Sequence, residues 1–235
     1  MTNILGDATA MAAKSAWPYP NESADYRAAR TALLAEEIEL RRHLERVSEM
    51  RRALPTGGAV TGDYRFDSAS GPVTLADMFG DKQTLVTYSW MFGPERERPC
   101  PMCTNFLGAL NGVAADLEQN VALGVIARSP VSRMADFARE RGWRNLTFYS
   151  DPTGAFSRDY HARVGEDDIP ALNVFSRKDG TIRLFYGGEM GPDAADPGQD
   201  PRGAPDFMPL WTVLDTTPEG RPPSWYPSLT YSSGP

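Results

Sequence analysis

An apolar run from Thr84 to Phe92 leads within a few residues to Arg98-Pro99-Cys100-Pro101-Met102-Cys103-Thr104, and from there to a helical pattern that lasts from Thr104 to about Glu118. No other stretch constrains this chain as much. It holds the only two cysteines among 235 residues, and a random pair would fall three apart about one time in a hundred, so the spacing is a genuine Cys-x-x-Cys signal. Pro101 suits the first position of a helix, where its missing N–H is no loss; Cys100 is then the N-cap and Cys103 lies in the first turn. A sulfur at an N-cap faces the unpaired N–H groups of Met102 and Cys103 and the positive end of the helix dipole, and both favour thiolate over thiol. Cys100 is therefore the candidate attacking thiolate. Cys103, one turn on and nearer the core, is the candidate resolving thiol that closes a disulfide and expels a mixed-disulfide substrate. Two plainer readings compete. Free cysteine is usually a small buried hydrophobe. Zinc sites use the same spacing, but they need four ligands, and His43 and His161 lie on separate helical patterns without zinc-finger spacing.

Composition bears on partners and setting. A net charge of -7 argues against a nucleic-acid surface or an anionic membrane, since either would need a basic face. Met1 to Pro20 lacks a basic region followed by an apolar run of signal-peptide length, and nowhere do eighteen apolar residues run together. The expected setting is the cytoplasm. A permanent structural disulfide is unusual there, so a close cysteine pair is catalytic, sensing or metal-binding. The hydrophobic share of 41%, with 20 prolines and 21 glycines, fits one sizeable core with irregular arms.

In chain order, residues 1–20 are expected to be a loosely held arm. Ser23 is an N-cap, with Asp25 in the first turn, for a helix reaching Leu54 before Pro55. Leu33, Leu40, Val47 and Leu54 recur every seven residues along it, which leaves two uses open, packing on its own domain or forming a homodimer. A hairpin is expected over Ala59 to Val73, turning between Ser68 and Pro72, followed by a buried strand over Thr84 to Met91. After the cysteine helix comes a second buried strand, Val121 to Ala127. Ser129-Pro130 then starts a helix that Gly142 stops, Leu146 to Tyr149 is a short strand, and Asp151-Pro152 opens another helix. Beyond Ile169-Pro170 the pattern changes to a hairpin, Leu172 to Ser176 and Thr181 to Tyr186 around Lys178-Asp179-Gly180. Strand-helix-strand-helix followed by a hairpin is the element order of the thioredoxin fold, an α/β class. Residues 191–206 are expected to be a long loop, Phe207 to Leu214 a short strand or turn, and the end a tail pinned by Trp225 and Tyr226. The division is 1–55 for the arm and long helix, 56–190 for a thioredoxin-like domain, and 191–235 for an irregular extension packed on it.

Several stretches together resemble a bacterial thioredoxin-like family catalogued as domain of unknown function 899, whose members are often labelled dithiol-disulfide oxidoreductases. They are Arg51-Arg52-Ala53-Leu54-Pro55, Tyr64-Arg65-Phe66, Trp90-Met91-Phe92-Gly93-Pro94, Cys100-Pro101-Met102-Cys103, Arg141-Gly142-Trp143 and Leu214-Asp215-Thr216-Thr217-Pro218-Glu219-Gly220-Arg221. The wider resemblance to thioredoxins implies that Ile169-Pro170 is the cis-proline segment facing the cysteine pair, where an extended substrate chain can pair with backbone, and that Trp90 is the tryptophan ending the central strand. Pro101 and Met102, between the two cysteines, join them as expected substrate-contact residues. Two features depart from thioredoxin. Leu85-Val86-Thr87-Tyr88-Ser89-Trp90 has no buried aspartate to move the resolving cysteine's proton, and the loop from Met91 to Pro99 is longer and carries Glu95, Arg96, Glu97 and Arg98.

These observations together predict a thiol-disulfide oxidoreductase acting on a protein or small-molecule disulfide or thiol, with an external reductant. No flavin, haem or nicotinamide motif is visible, so no cofactor is expected. Arg96 or Arg98 is a candidate to lower the Cys100 pKa further, the plainer reading being a solvated charge. A peroxiredoxin-like thiol peroxidase is one alternative, suggested by Phe148-Tyr149-Ser150-Asp151, although no threonine precedes Cys100 at the spacing that positions a peroxide. A non-catalytic binding protein on the same fold is the other.

Overall fold

Alternation of buried side chains along the central strands decides the architecture. In the computed structural model, which describes residues 5–189, 208–219 and 221–231, the chain divides into two units, Met1–Pro55 and Thr56–Pro235. In the second unit Tyr88 and Val125 point into one apolar cluster, with Leu107 and Phe137. Leu85 and Ile126 point into another, with Phe66, Phe156 and Phe175. A strand whose successive residues enter opposite cores is covered on both faces, so β3 (Thr84–Ser89) and β4 (Ala122–Ala127) sit mid-sheet.

The first unit is two helices. In α2 (Ala24–Arg52), Ser23 caps the N-terminus by accepting the Tyr26 N–H at 3.1 Å. The expected loose arm is instead partly helical. α1 (Ala8–Ser15) is capped by Asp7 and buries Ala8 and Ala12 against Ala35 and Ile38 of α2. Its face is alanine alone, too small to give a strong apolar pattern. Leu33, Leu40 and Leu44 of α2 remain exposed.

The second unit is a seven-stranded sheet. It contains β1 (Arg65–Ser68), β2 (Gly71–Thr74), β3, β4, β5 (Phe148–Ser150), β8 (Ala171–Lys178) and β9 (Thr181–Gly188), in the order β2-β1-β5-β4-β3-β8-β9. β3, β4 and β5 are parallel, while β8 runs antiparallel beside β3 and β9 beside β8. The parallel crossovers carry α3 (Pro101–Leu117) and α4 (Val131–Glu140), both contributing to the same core. α5 (Ala155–Asp159) sends Phe156 into the opposite core. A two-stranded ribbon, β6 (Arg163–Val164) with β7 (Asp167–Asp168), precedes β8. A central strand leading to a cysteine-bearing helix, flanked by a parallel strand on one side and an antiparallel hairpin on the other, is a thioredoxin-like fold.

Several boundaries differ from expectation. α4 starts at Val131 with Pro130 in the N-cap position; Ser129, lying before it, is buried and accepts from Arg133 instead. α5 begins only after Gly154, whose φ of 65° ends the turn after Asp151, because Asp151 is buried and caps the Ser157 N–H at 2.8 Å from outside the helix. The stretch expected as a strand or turn near Leu214 is a helix, α6 (Pro209–Leu214), with Trp211 buried. Proline at its first position and the burial of one aromatic face suit a helical turn. The expected loop at 191–206, and with it the expected domain edge at 190, lie outside the described residues.

Candidate dithiol site

β3 ends at Ser89, and the strands on either side of it position the segment beyond. Trp90 donates its N–H to Ile126 O at 2.7 Å, so the chain still runs along β4 for one residue. Ser89 pairs with Ala171 of β8, so Ile169 and Pro170 continue past the end of the strand alongside Trp90 and Met91. The Met91 carbonyl in turn accepts the Cys100 N–H at 3.1 Å, which returns the chain to this end of the sheet. Register and this single hydrogen bond thus bring Trp90, Ile169, Pro170 and Cys100 to one end of the central strand.

Cys100 is the N-cap of α3, with extended backbone (φ -60°, ψ 127°), and Pro101 sits next to it in the first turn. The Thr104 N–H and hydroxyl both return to the Cys100 carbonyl, at 3.0 and 2.9 Å, and lock the cap. Cys100, Pro101 and Met102 are half-buried, whereas Cys103 is 2% exposed. Both cysteines are free thiols. Trp90 is also 2% exposed, inside a group of rings with Phe92, Phe137, Trp143 and Phe148, so it forms the floor beneath the site and not its open surface. Ile169 and Pro170 are both half-buried at the same end.

The two thiols are displaced in opposite directions. Cys100 is lowered to about 6, first because the Cys103 thiol donates to its sulfur and then because the N–H groups of Cys103 and Met102 face it, with the charge of Arg96 adding to them; burial works against all of these. The cap makes no close side-chain hydrogen bond, so the backbone acts as a field of aligned dipoles more than as a formed bond. Cys103 is raised well above the ordinary thiol value, first because its S–H donates to the Cys100 sulfur and next because it is buried. The Tyr88 hydroxyl and the Met91 N–H oppose that rise by facing the Cys103 sulfur. Tyr88 is itself wholly buried and held neutral, mainly by that burial. The sequence shows that this strand lacks an aspartate, but not that Tyr88 takes a place against the inner sulfur; its position in the strand, facing the same core as Leu107, is the signal that could have found it.

The long loop from Met91 to Pro99 is fixed from two sides. Gly93 donates its N–H to Asp168 Oδ2 at 2.7 Å. Arg128 Nε meets Asp168 Oδ1 at 2.8 Å, and Arg96 Nε lies 3.7 Å from Oδ2. A Cβ at Gly93 would fall 2.6 Å from Asp168 Oδ2, so glycine is required there by the closeness of that carboxylate. From the other side Arg133 of α4 donates to the carbonyls of Gly93, Arg96 and Glu97 and to Ser129 Oγ. Its guanidinium also lies 4.3 Å from the centre of the Phe92 ring. Arg98 is engaged elsewhere, bidentate on Glu140 at 2.5 and 3.2 Å. Of the two arginines singled out in the sequence, only Arg96 therefore acts on Cys100.

Other features lie apart from the thiols. A concavity of about 860 Å³ lies between α4 and the β1–β2 hairpin, and no cysteine lines it. Among the described residues no three His, Cys, Asp or Glu side chains are grouped as metal ligands would be, and no helix is long and apolar enough to cross a membrane.

Among known proteins, a family model described as a bacterial protein of unknown function, DUF899, matches residues 18–231. No curated protein matches. Solved structures with similar folds include a cysteine mutant of PrxQ from Xylella fastidiosa, 16% identical over 57% of this chain and 84% of that one, with a TM-score of 0.46. Others are the peroxidoxin BcpB from Mycobacterium tuberculosis, 17% identical over 65% and 92% with a TM-score of 0.45, and the exposed lipoprotein thioredoxin Etrx1 from Streptococcus pneumoniae, 17% identical over 57% and 94% with a TM-score of 0.40.

Proposed function

We propose that this chain, which belongs to the bacterial family of unknown function DUF899, is a thiol-disulfide oxidoreductase. The observation that carries the reading is the split between two thiols one helical turn apart: a half-buried one at the helix N-cap whose pKa falls to about 6, and a fully buried one whose pKa is raised. Attack needs a thiolate at ambient pH, and resolution needs a second thiol close by that does not compete for the first step.

In this reading the Cys100 thiolate attacks one sulfur of a substrate disulfide, the substrate S–S bond breaks, and one thiolate leaves and takes a proton from water. Cys103 then loses its proton and attacks the Cys100 sulfur, closing Cys100–Cys103 and releasing the second substrate thiol. The protein has given two electrons and the substrate has received them. A dithiol reductant from outside returns the pair to its starting state. Ile169 and Pro170 shape the groove beside Cys100, Pro101 and Met102 line its helix side, and Trp90 supports it from beneath. With Cys103→Ser, attack survives and resolution does not, so a mixed disulfide on Cys100 should accumulate and be visible by mass spectrometry. With Cys100→Ser none should form. Equal rates for the two single mutants against a small disulfide would sink the proposal.

The seven-residue spacing of Leu33, Leu40, Val47 and Leu54 supports assembly of two copies through α2, where Leu33 and Leu40 are more than half exposed. Light scattering at micromolar concentration should give twice the chain mass, and a monomer would remove the claim.

A further inference from the structure

The arginines around the dithiol are not used alike. Arg98 is matched by Glu140 on two hydrogen bonds. Arg128 is taken up by Asp168 and the Glu166 carbonyl, and Arg163 by Glu166 and the Gly165 carbonyl. Arg133 donates to carbonyl and hydroxyl oxygens. Arg96 differs. Its approach to Asp168 is a loose one, Nε at 3.7 Å from Oδ2, and among the described residues its guanidinium donates no hydrogen bond. Its side chain is 37% exposed, while its backbone is fixed, the N–H on Gly93 O at 3.2 Å and the carbonyl on Arg133. Its charge also reaches the Cys100 sulfur. The acids nearby do not cancel it. Asp168 is shared with Arg128, Glu140 and Glu166 have partners of their own, and Glu95 and Glu97 are exposed.

A guanidinium that is 37% exposed, has no close acceptor of its own and stands on a fixed loop four residues before the nucleophilic Cys100 presents the forked donors that carboxylates accept in pairs. We infer that Arg96 is the recognition group of the dithiol site and that its preferred substrates are disulfides carrying a carboxylate a few bonds from sulfur. This rests on the oxidoreductase reading and adds a substrate class to it. The chemistry is that given above, with the carboxylate staying on Arg96 while the S–S bond of the substrate breaks and its two thiols leave.

The test uses the reduced full-length protein and three small disulfides: anionic 3,3′-dithiodipropionate, neutral bis(2-hydroxyethyl) disulfide and cationic cystamine. Each rate of thiol loss is normalised to the rate of the same disulfide with a simple thiolate. The anionic disulfide should react fastest despite the net charge of -7 on the chain, and Arg96→Gln should lower the anionic-to-neutral ratio by about fivefold, the scale of one part-exposed charged pair. Arg96→Lys should recover part of it. In the unmutated protein, salt should compress the ratio and leave the neutral rate unchanged, which tests the claim without any variant. A normalised ratio near one, or a ratio that Arg96→Gln does not change, overturns the substrate class and leaves the oxidoreductase reading standing. Failure to react with any of the three overturns both.

Discussion

The Tyr88 hydroxyl faces the Cys103 sulfur inside the protein, both residues being 2% exposed. A buried phenol held neutral is no base, but it can donate a hydrogen bond to a sulfur that is becoming a thiolate, which is the state Cys103 passes through during resolution. Tyr88→Phe keeps the ring and its contact with Phe106 and removes only the donor. A mixed disulfide on Cys100 should then persist roughly tenfold longer, in line with a lost hydrogen bond to a charged group, while the first attack is unchanged. If both steps slow equally, Tyr88 acts on packing alone.

Alkylation of Cys100 by iodoacetamide should give a titration centred at about 6, slow below and level above. The largest cause of that low value is the hydrogen bond from Cys103, so Cys103→Ala should move the midpoint upward and slow the reaction at about pH 6 to 7. An unmoved midpoint in that variant would show that backbone and dipole alone set the acidity.

Folding stability of the reduced protein should depend on pH in the same window. Cys100 has a folded pKa of about 6 against an ordinary 9.0, so its contribution is fully present above 9 and is lost as pH falls through 6. Urea midpoints should rise between about pH 6 and 9 relative to Cys100→Ala. Beyond about pH 9 the Cys100 contribution is level, and the raised Cys103 acts in the opposite sense, so the curve should turn downward. Identical pH dependence in both proteins would contradict the displaced acidity.

Gly93→Ala would push a methyl against the Asp168 carboxylate and the Arg128 guanidinium, which lie 2.6 and 3.0 Å from the new Cβ. Overpacking of this kind costs about 1–3 kcal/mol. Asp168→Asn removes one partner of an ion pair whose side chains are 10% and 7% exposed and should cost about 3 kcal/mol. Because both changes loosen the loop that carries Arg96, each should also raise the Cys100 midpoint slightly. Thermal melts together with the alkylation profile check the pair, and a lowered melting point with an unmoved midpoint would separate loop anchoring from thiol acidity.

What could be read from the sequence was what is written locally. The cap at Ser23, proline at the start of α3, the Asp179-Gly180 turn with φ of 51° and 73°, and the apolar runs of β3 and β4 each declare themselves within a few residues. α1 did not, since a face made of Ala8 and Ala12 differs little from a polar arm in apolar content. The order of strands was legible in part because parallel crossovers have one hand, but nothing local says that Asp168 reaches Gly93 or that Arg133 gathers three carbonyls. Such partners are dozens of positions apart and are chosen by the fold. Of the two loop arginines, only the structure shows which one has been taken by a glutamate.

The hydrogen bond from Gly93 to Asp168 spans 75 positions, and that separation orders events during synthesis. β3, α3 and β4 are complete well before Asp168 leaves the ribosome, so the nascent chain carries both cysteines on a helix whose preceding loop has no anchor on that side. Contacts of such long separation close late, after the entropy of the intervening segment has been given up. The thiols of the growing chain are therefore at their most accessible before the site exists, and interference from adventitious oxidation is to be expected at that stage more than in the finished protein.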